Sequence, residues 1–188
     1  MTPTVVVAPY RPAPGRACGS CTLCCKVYAL PEFEKPPGDW CRECAPGKGC
    51  RIHERAPTQC RKFFCMWMTD GSLPEAWRPD HAKFVLSIFP TNGFVYGQAD
   101  PGSPAGWRRE PYYGGLRSLA KTLLAERRHV IMFVNDEATL VMPDGAIPIG
   151  RMTSADQFRI EPAFGPDGPT WRATLTDGPR SPTPGQTP

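Results

Sequence analysis

The second half of the chain carries the clearest alternation of apolar and polar positions. From Pro111 to Arg128, apolar residues recur every three or four positions: Tyr112, Leu116, Leu119, Ala120, Leu123 and Leu124. This spacing predicts an amphipathic helix. Pro111 suits its first turn, and the arginines at its far end suit the negative pole of the helix dipole.

Short apolar runs on both sides of this helix predict β-strands. The strand candidates are residues 83–89, 94–98, 130–134 and 138–142, with shorter edge strands at 158–160 and 171–175. A turn at residues 90–93 joins the first two as a hairpin. The expected fold is therefore α+β: a small mixed or antiparallel sheet with one principal helix, and an irregular cysteine-rich module packed on it.

The first third of the chain has a different pattern, because apolar periodicity gives way to cysteine. All nine cysteines fall there: Cys18, Cys21, Cys24, Cys25, Cys41, Cys44, Cys50, Cys60 and Cys65. A two-residue gap between cysteines occurs three times, and it lets two thiolates turn toward one ion. The sequence therefore predicts metal binding far more specifically than it predicts any reaction.

These patterns divide the chain into four parts. Residues 1–16 are expected to be an extended lead-in, 17–80 the metal-binding module, 81–176 the sheet-and-helix region, and 177–188 a disordered tail rich in Pro, Ser, Thr and Gly. Residues 59–68 are expected to form one helix, and 27–30 a short strand. In such a helix Cys60 and Cys65 lie about 140° apart, so it would not turn both toward one ion.

The cysteine count leaves the metal open between zinc and an iron–sulfur cluster. The Cys-x2-Cys-x2-Cys run is similar to the ferredoxin spacing that holds a [4Fe–4S] cluster. Four-cysteine zinc sites fit equally well, and zinc is favoured because it needs no assembly machinery. Two such sites use eight thiols, so one cysteine is surplus, with Cys25 or Cys18 as the candidate. Adjacent Cys24 and Cys25 point in different directions and so suit two separate sites.

Charge and targeting signals limit the expected binding partners and cellular compartment. The net charge is +4. Eight bound thiolates and two divalent ions together would add about four negative charges, which disfavours nucleic acid as a partner. No membrane-spanning run or signal peptide is recognised, and an odd cysteine count argues against complete disulfide pairing. We expect a cytoplasmic protein with reduced thiols.

Three blocks of motifs resemble a known family. They are Cys18-x2-Cys21-x2-Cys24-Cys25, the stretch from Gly49-Cys50 through His53, Cys60 and Cys65 to Trp67, and Leu73-Pro74-x2-Trp77-Arg78-Pro79-Asp80. Together they resemble the CxxCxxCC, or YkgJ-type, cysteine-cluster family, which is described as zinc- or iron-chelating. The resemblance covers residues 15–80 in motifs and extends more weakly to residue 150. It implies a metal-binding domain without assigning a reaction.

Two residues depart from that family's pattern. His53 stands where such sequences often carry an aromatic residue, and Ala56 precedes Pro57 where an arginine is usual. His53 can ligate a metal through its imidazole, but a packing role beside Cys50 is favoured because sulfur ligands are plentiful. His81 and His129 have no cysteine neighbours in the sequence and are expected to be ordinary surface residues.

Three arginines suggest a site for a small anionic ligand. Arg55, Arg61 and Arg78 flank rigid turns or metal-held cysteines, so their guanidinium groups lose little entropy on binding a carboxylate or phosphate. The alternative is that they balance thiolate charge. The favoured function is metal binding, in which the metal mainly builds a surface. That surface would bind an unidentified protein or a small anionic ligand. The alternatives are an iron–sulfur redox or protein-modifying enzyme and a metal chaperone.

Overall fold

The structure is a computed structural model that describes residues 11–152, 156–165 and 168–176. Its first part consists of short elements joined by turns. They are α1 (Cys24–Val27), β1 (Cys44–Ala45), β2 (Gly49–Cys50), α2 (Thr58–Lys62), α3 (Met66–Thr69) and α4 (Pro79–Ala82). Single turns of 3-10 helix lie between them at Pro31–Phe33, His53–Arg55 and Glu75–Trp77. None of these elements is long enough to be stable without tertiary contacts.

The second part contains the sheet and the long helix. Its elements are β3 (Phe84–Ile88), β4 (Val95–Ala99), α5 (Tyr112–Leu124), β5 (Val130–Val134), β6 (Glu137–Met142), β7 (Gly145–Arg151), β8 (Gln157–Gly165) and β9 (Gly168–Thr176). A further 3-10 turn spans Gly106–Arg108. The predicted α+β class is confirmed, with a mixed sheet and one principal helix.

Five strands form the main sheet in the order β3-β4-β5-β6-β7. Strands β4 and β5 pair in parallel, and every other neighbouring pair is antiparallel. A parallel pair needs a long crossover, and α5 provides it between these two strands. Strand β5, with the sequence Val-Ile-Met-Phe-Val, is buried on both faces except at its last residue, as its central position requires.

Alternate residues of β5 enter two different cores. Val130 and Met132 face α5, where Leu116 and Leu123 complete an apolar layer. On the opposite face, Ile131 and Phe133 pack in a second cluster with residues of β6. The hairpin β8–β9 covers part of that second face, since Phe158, Ile160 and Ala173 join the same cluster.

A third core joins the cysteine-rich part to the sheet. It contains Cys21, Cys65 and Trp67 together with Val85 of β3, which is fully buried. Trp77 belongs both to this cluster and to the layer under α5. Its ring makes edge contacts with Phe84 at 5.8 Å and with Tyr112 at 5.6 Å between centroids. The cysteine-rich part therefore packs directly on the sheet.

Several local expectations are corrected. The helix expected over 59–68 is broken into α2 and α3. The backbone is extended at Phe63, which follows α2, and again at Cys65, which is the N-cap residue of α3. Residues 27–30 form the end of α1 and one isolated bridge from Leu30 to Lys35, not a strand. Strand β7 is not predicted from the sequence, because Pro148 interrupts its strand pattern. A proline is tolerated there because β7 is an edge strand of the sheet.

The predicted ends of the chain lie largely beyond the described residues. Of the expected lead-in 1–16, only residues 11–16 are described, and the expected tail 177–188 falls outside. The described lead-in residues are attached to the module, because the backbone N–H of Ala13 donates to the carbonyl of Met68 at 2.7 Å. The N-terminal segment is thus anchored before the first cysteine.

Two neighbouring glycines of α5 test the packing between helix and module. A Cβ atom at Gly115 would meet the rigid indole of Trp77 at 2.4 Å, whereas one at Gly114 would meet only the mobile carboxylate of exposed Glu110. We expect Gly115→Ala to destabilise the protein by about 1–3 kcal/mol through overpacking. Gly114→Ala, the matched control, should stabilise it by about 0.5–1 kcal/mol through helix propensity. Urea unfolding measures both, and equal effects would contradict this packing.

Candidate metal centre

The first cysteine run is folded into a tight turn followed by α1. The backbone N–H of Cys21 donates to the carbonyl of Cys18 at 2.9 Å, and that of Cys25 to Thr22 at 3.0 Å. Gly19 takes a positive φ of 51°, a conformation that glycine adopts at little cost. This turn lets cysteines two residues apart face the same side.

Four cysteines line one small cavity at the junction with the sheet. We call Cys18, Cys21, Cys24 and Cys65 the first thiol group. The cavity has a volume of about 10 Å³, and its remaining walls are Phe63, Met68, Pro79 and Val85. Cys65 reaches it from the break between α2 and α3, so the unexpected break is what delivers the fourth thiol. The cavity is comparable in size to the space one water molecule needs.

The other five cysteines are related to one another by packing, strand pairing and electrostatic interaction. We call Cys25, Cys41, Cys44, Cys50 and Cys60 the second thiol group. Cys25 packs with Cys41 and Cys44 in a small apolar cluster. Their backbones are also joined, since the N–H of Cys41 donates to the carbonyl of Cys25 at 3.0 Å and that of Cys44 to Cys41 at 2.9 Å.

The hairpin β1–β2 and helix α2 supply the last two members of the second group. Cys50 stands directly opposite Cys44 in the antiparallel register. Cys60 is exposed on α2, and the negative charges of Cys25, Cys41 and Cys50 contribute to the raised pKa of its thiol, about 11, although burial is the larger cause. Cys60 and Cys65 therefore lie with different groups because the chain is extended between α2 and α3, and not because one regular helix turns them apart.

The doublet Cys24–Cys25 connects the two groups. Cys24 belongs to the first cavity, while Cys25 packs in the second cluster. Hydrogen bonds from Cys24 lower the pKa of Cys18 to about 7 and that of Cys25 to about 6, and sharing its proton raises the pKa of Cys24. Thiols that lose their protons near neutral pH are the ones prepared to bind metal ions.

The donor set fits a thiophilic ion, but the sulfur atoms are not in a coordinated arrangement. Within residues 11–152, 156–165 and 168–176, no three His, Cys, Asp or Glu side chains are placed as a metal-holding group. The thiols instead contact one another through hydrogen bonds. Each group contains at least four thiols, which is the number of ligands that structural zinc requires.

Arg78 lies at the edge of the first group and is already occupied. Its guanidinium donates to the hydroxyl of Ser20 at 2.7 Å and forms ion pairs with Asp80 at 2.9 Å and Glu75 at 3.5 Å. Its positive charge also helps to lower the pKa of Cys18, although the hydrogen bond from Cys24 is the larger cause. These contacts favour a role in balancing thiolate charge.

The other predicted anion-binding residues are not assembled around a shared pocket. Arg61 donates from Nε to the carbonyl of Ala56 at 2.9 Å, and Arg55 is exposed in the turn before it. Two carboxylates and one hydroxyl surround Arg78 on a different segment. The anion site at Arg55, Arg61 and Arg78 therefore stays a prediction, and the contacts of Arg61 indicate that it holds the start of α2.

The histidines lie away from both thiol groups or at the surface. His53 is exposed in its 3-10 turn, and exposed His81 contacts the carbonyl of Glu75. His129 is only partly exposed: its ring packs against Phe94 at 4.9 Å and Phe158 at 5.7 Å, and burial lowers its pKa. The expectation that His129 is an ordinary surface residue is therefore corrected.

Sequence reasoning missed Arg16, which lies two residues before the first cysteine. Its guanidinium donates to the carbonyls of Trp67, Asp70, Gly71 and Leu73, and it stacks 4.6 Å from the centre of the Trp67 ring. Nothing in the sequence distinguishes it from other arginines, because its acceptors are backbone carbonyls more than fifty residues away. Arg16 fixes the segment that follows Cys65.

Comparison of the chain with protein-family models, curated proteins and solved structures found no match. Within the described part of the chain, no helix is both long and apolar enough to cross a membrane. The features of the chain that indicate a function are therefore the thiol groups and the residues around them.

The Arg16 contacts give a direct test of how the first group is supported. We expect Arg16→Lys to lower the free energy of unfolding by about 2 kcal/mol, because one ammonium cannot reproduce the planar fork on four carbonyls. Arg11→Lys, at an exposed position on the same segment, is the matched control. Urea unfolding followed by tryptophan fluorescence measures both variants. Equal midpoints for the two would show that the guanidinium geometry contributes nothing.

Proposed function

We propose that the protein binds two zinc ions, one in each thiol group, and that the metal builds and holds the N-terminal module. The single observation that carries this proposal is the cavity shared by Cys18, Cys21, Cys24 and Cys65. These residues come from two segments about forty residues apart in the sequence. Four free thiols that line one cavity are the donor set that a shared thiophilic ion would use.

The size of the cavity supports a single ion. About 10 Å³ is close to the space for one water molecule. A [4Fe–4S] cluster would place four irons and four sulfides between the same cysteines. A zinc ion, which binds four thiolates at about 2.3 Å in a tetrahedron, needs less space than the cluster. The donor set suits both, and the small volume favours zinc over the cluster.

The position of the first group supports a structural role for the metal. Catalytic zinc sites keep an open position beside three protein ligands, whereas closed four-cysteine sites are structural. An ion there would join the cysteine run to the segment at Cys65, beside the cavity walls formed by Pro79 at the start of α4 and Val85 of β3. A module held in this way presents a rigid surface. We assign to the module the function of providing that surface.

The second group contributes the surplus thiol. It contains five cysteines, one more than a tetrahedral ion binds. Cys25, Cys41 and Cys44 are joined by packing and backbone hydrogen bonds, and Cys50 is held opposite Cys44. Cys60 is exposed and lacks such a pairing among the described residues. We therefore assign Cys60 as the surplus thiol, in place of Cys25 or Cys18.

Single Cys→Ser variants test the two-group arrangement. We expect Cys65→Ser to lose one zinc ion per chain, Cys44→Ser to lose the other, and Cys60→Ser, the matched control, to keep both. Metal content per chain, measured after anaerobic purification, gives the result. Zinc has no d–d transitions, so the same samples should show no visible absorption band. A visible band, or equal metal loss in all nine single variants, would overturn the proposal.

Metal removal tests the structural role separately. We expect chelation to abolish amide protection in residues 18–65 while α5 keeps most of its protection, since structural zinc supplies on the order of 10–16 kcal/mol of apparent folding free energy. Hydrogen exchange with and without chelator measures this, and the buried strand β5 is the internal control. Unchanged protection in residues 18–65 after verified metal loss would rule out a structural metal.

A further inference from the structure

Lys35 is the only buried charged side chain among the residues that the structure describes, with 8% of its surface exposed. It lies in the loop that leads from Cys25 at α1 to Cys41 of the second thiol group. The isolated bridge between Leu30 and Lys35 closes this loop on itself. Burying an ammonium group is costly unless it is hydrogen-bonded and faces a negative charge.

Three backbone carbonyls satisfy the hydrogen-bonding capacity of the ammonium. Its Nζ donates to the carbonyls of Lys26 at 3.0 Å, Tyr28 at 2.5 Å and Pro36 at 2.9 Å. An ammonium has three donors, so all of them are used. The acceptors stand on both sides of the loop, and Lys26 directly follows Cys25. The ammonium therefore fixes the path of the chain between Cys25 and Cys41.

The positive charge of the ammonium is only partly offset by the protein groups around it. No carboxylate in the described residues lies within ion-pair distance of Lys35. Burial lowers its pKa, and the negative charges of Cys41, Asp39, Cys25 and Cys24 act in the opposite direction. Two of these thiols belong to the second group. A divalent ion bound by four thiolates keeps two net negative charges, so the metal-bound group would provide the missing counter-charge.

We propose that Lys35 is the positioning residue of the second thiol group, holding Cys25 and Cys41 in place and stabilising all-thiolate metal binding with its buried positive charge. This inference rests on the proposed zinc function. Arg78 plays the equivalent part at the first group from the protein surface, where solvent weakens its charge. The second group thus depends on one internal cation.

Cobalt(II) is a suitable probe, because it replaces zinc and its sulfur-to-metal charge-transfer band reports the charge around the thiolates. Cys65→Ser and Cys44→Ser assign the signals to the two groups. We expect Lys35→Met, which keeps the aliphatic stem, to weaken cobalt binding at the second group by about tenfold or more. The first group, an internal reference, should be unchanged, as should both groups in Lys121→Met, which removes an exposed lysine of α5.

The position of the charge-transfer band distinguishes an electrostatic role from a merely structural one. Loss of the ammonium should move the second group's band to lower energy, since the thiolate electrons are less tightly held. Lys35→Arg keeps the charge but cannot direct a planar fork at the same three carbonyls, so it should weaken binding while leaving the band in place. Loosened packing alone would not move the band.

Several results would overturn the inference. They are unchanged affinity at the second group in Lys35→Met, an equal loss at both groups, or an unmoved band. Should Lys35→Met not fold, Lys35→Arg decides alone: weaker binding at the second group with the band in place supports the inference, and unchanged binding overturns it. If the unaltered protein binds no cobalt at the second group, the proposed zinc function has failed, and this inference fails with it.

Discussion

The convergence of Cys65 on the cysteine run at residues 18–24 is the contact on which the N-terminal part of the structure depends. Its helices are four or five residues long and its strands two, too short to be stable alone. A cavity lined by four thiols lies within the small apolar cluster that joins this part to the sheet. Because Val85 of the main sheet forms part of the same cavity wall, the four thiols lie at the contact between the module and the sheet.

Three positively charged side chains stabilise the segments that carry the two thiol groups. Arg16 fixes the segment after Cys65 through four carbonyls, Arg78 balances charge at the rim of the first group, and Lys35 does so from inside the loop of the second. Each is held by groups of the protein itself. Arg61 and Arg78, two of the three arginines predicted to bind an anion, are likewise engaged with their own chain.

The sheet could be predicted from the sequence and the module largely could not, for a physical reason. Strand β5 and helix α5 follow from local periodicity, because burial on one or two faces dictates which residues are apolar. The division of the cysteines into two groups depends on the break between helices α2 and α3, which begins at Phe63. No local sequence pattern predicts this break. The doublet Cys24–Cys25 did indicate that the cysteines divide into two groups, although its two thiols are also hydrogen-bonded to each other. Lys35 was missed because exposed and buried lysines are indistinguishable in a sequence.

Zinc-edge X-ray absorption of protein purified under anaerobic conditions tests the central claim most directly. Two closed thiolate sites predict a first coordination shell of four sulfur atoms at about 2.3 Å from zinc, with no nitrogen or oxygen ligand. That shell should be the same at both sites, because each group offers at least four thiols. A shell containing light atoms, or a protein that contains iron in place of zinc, would contradict the account.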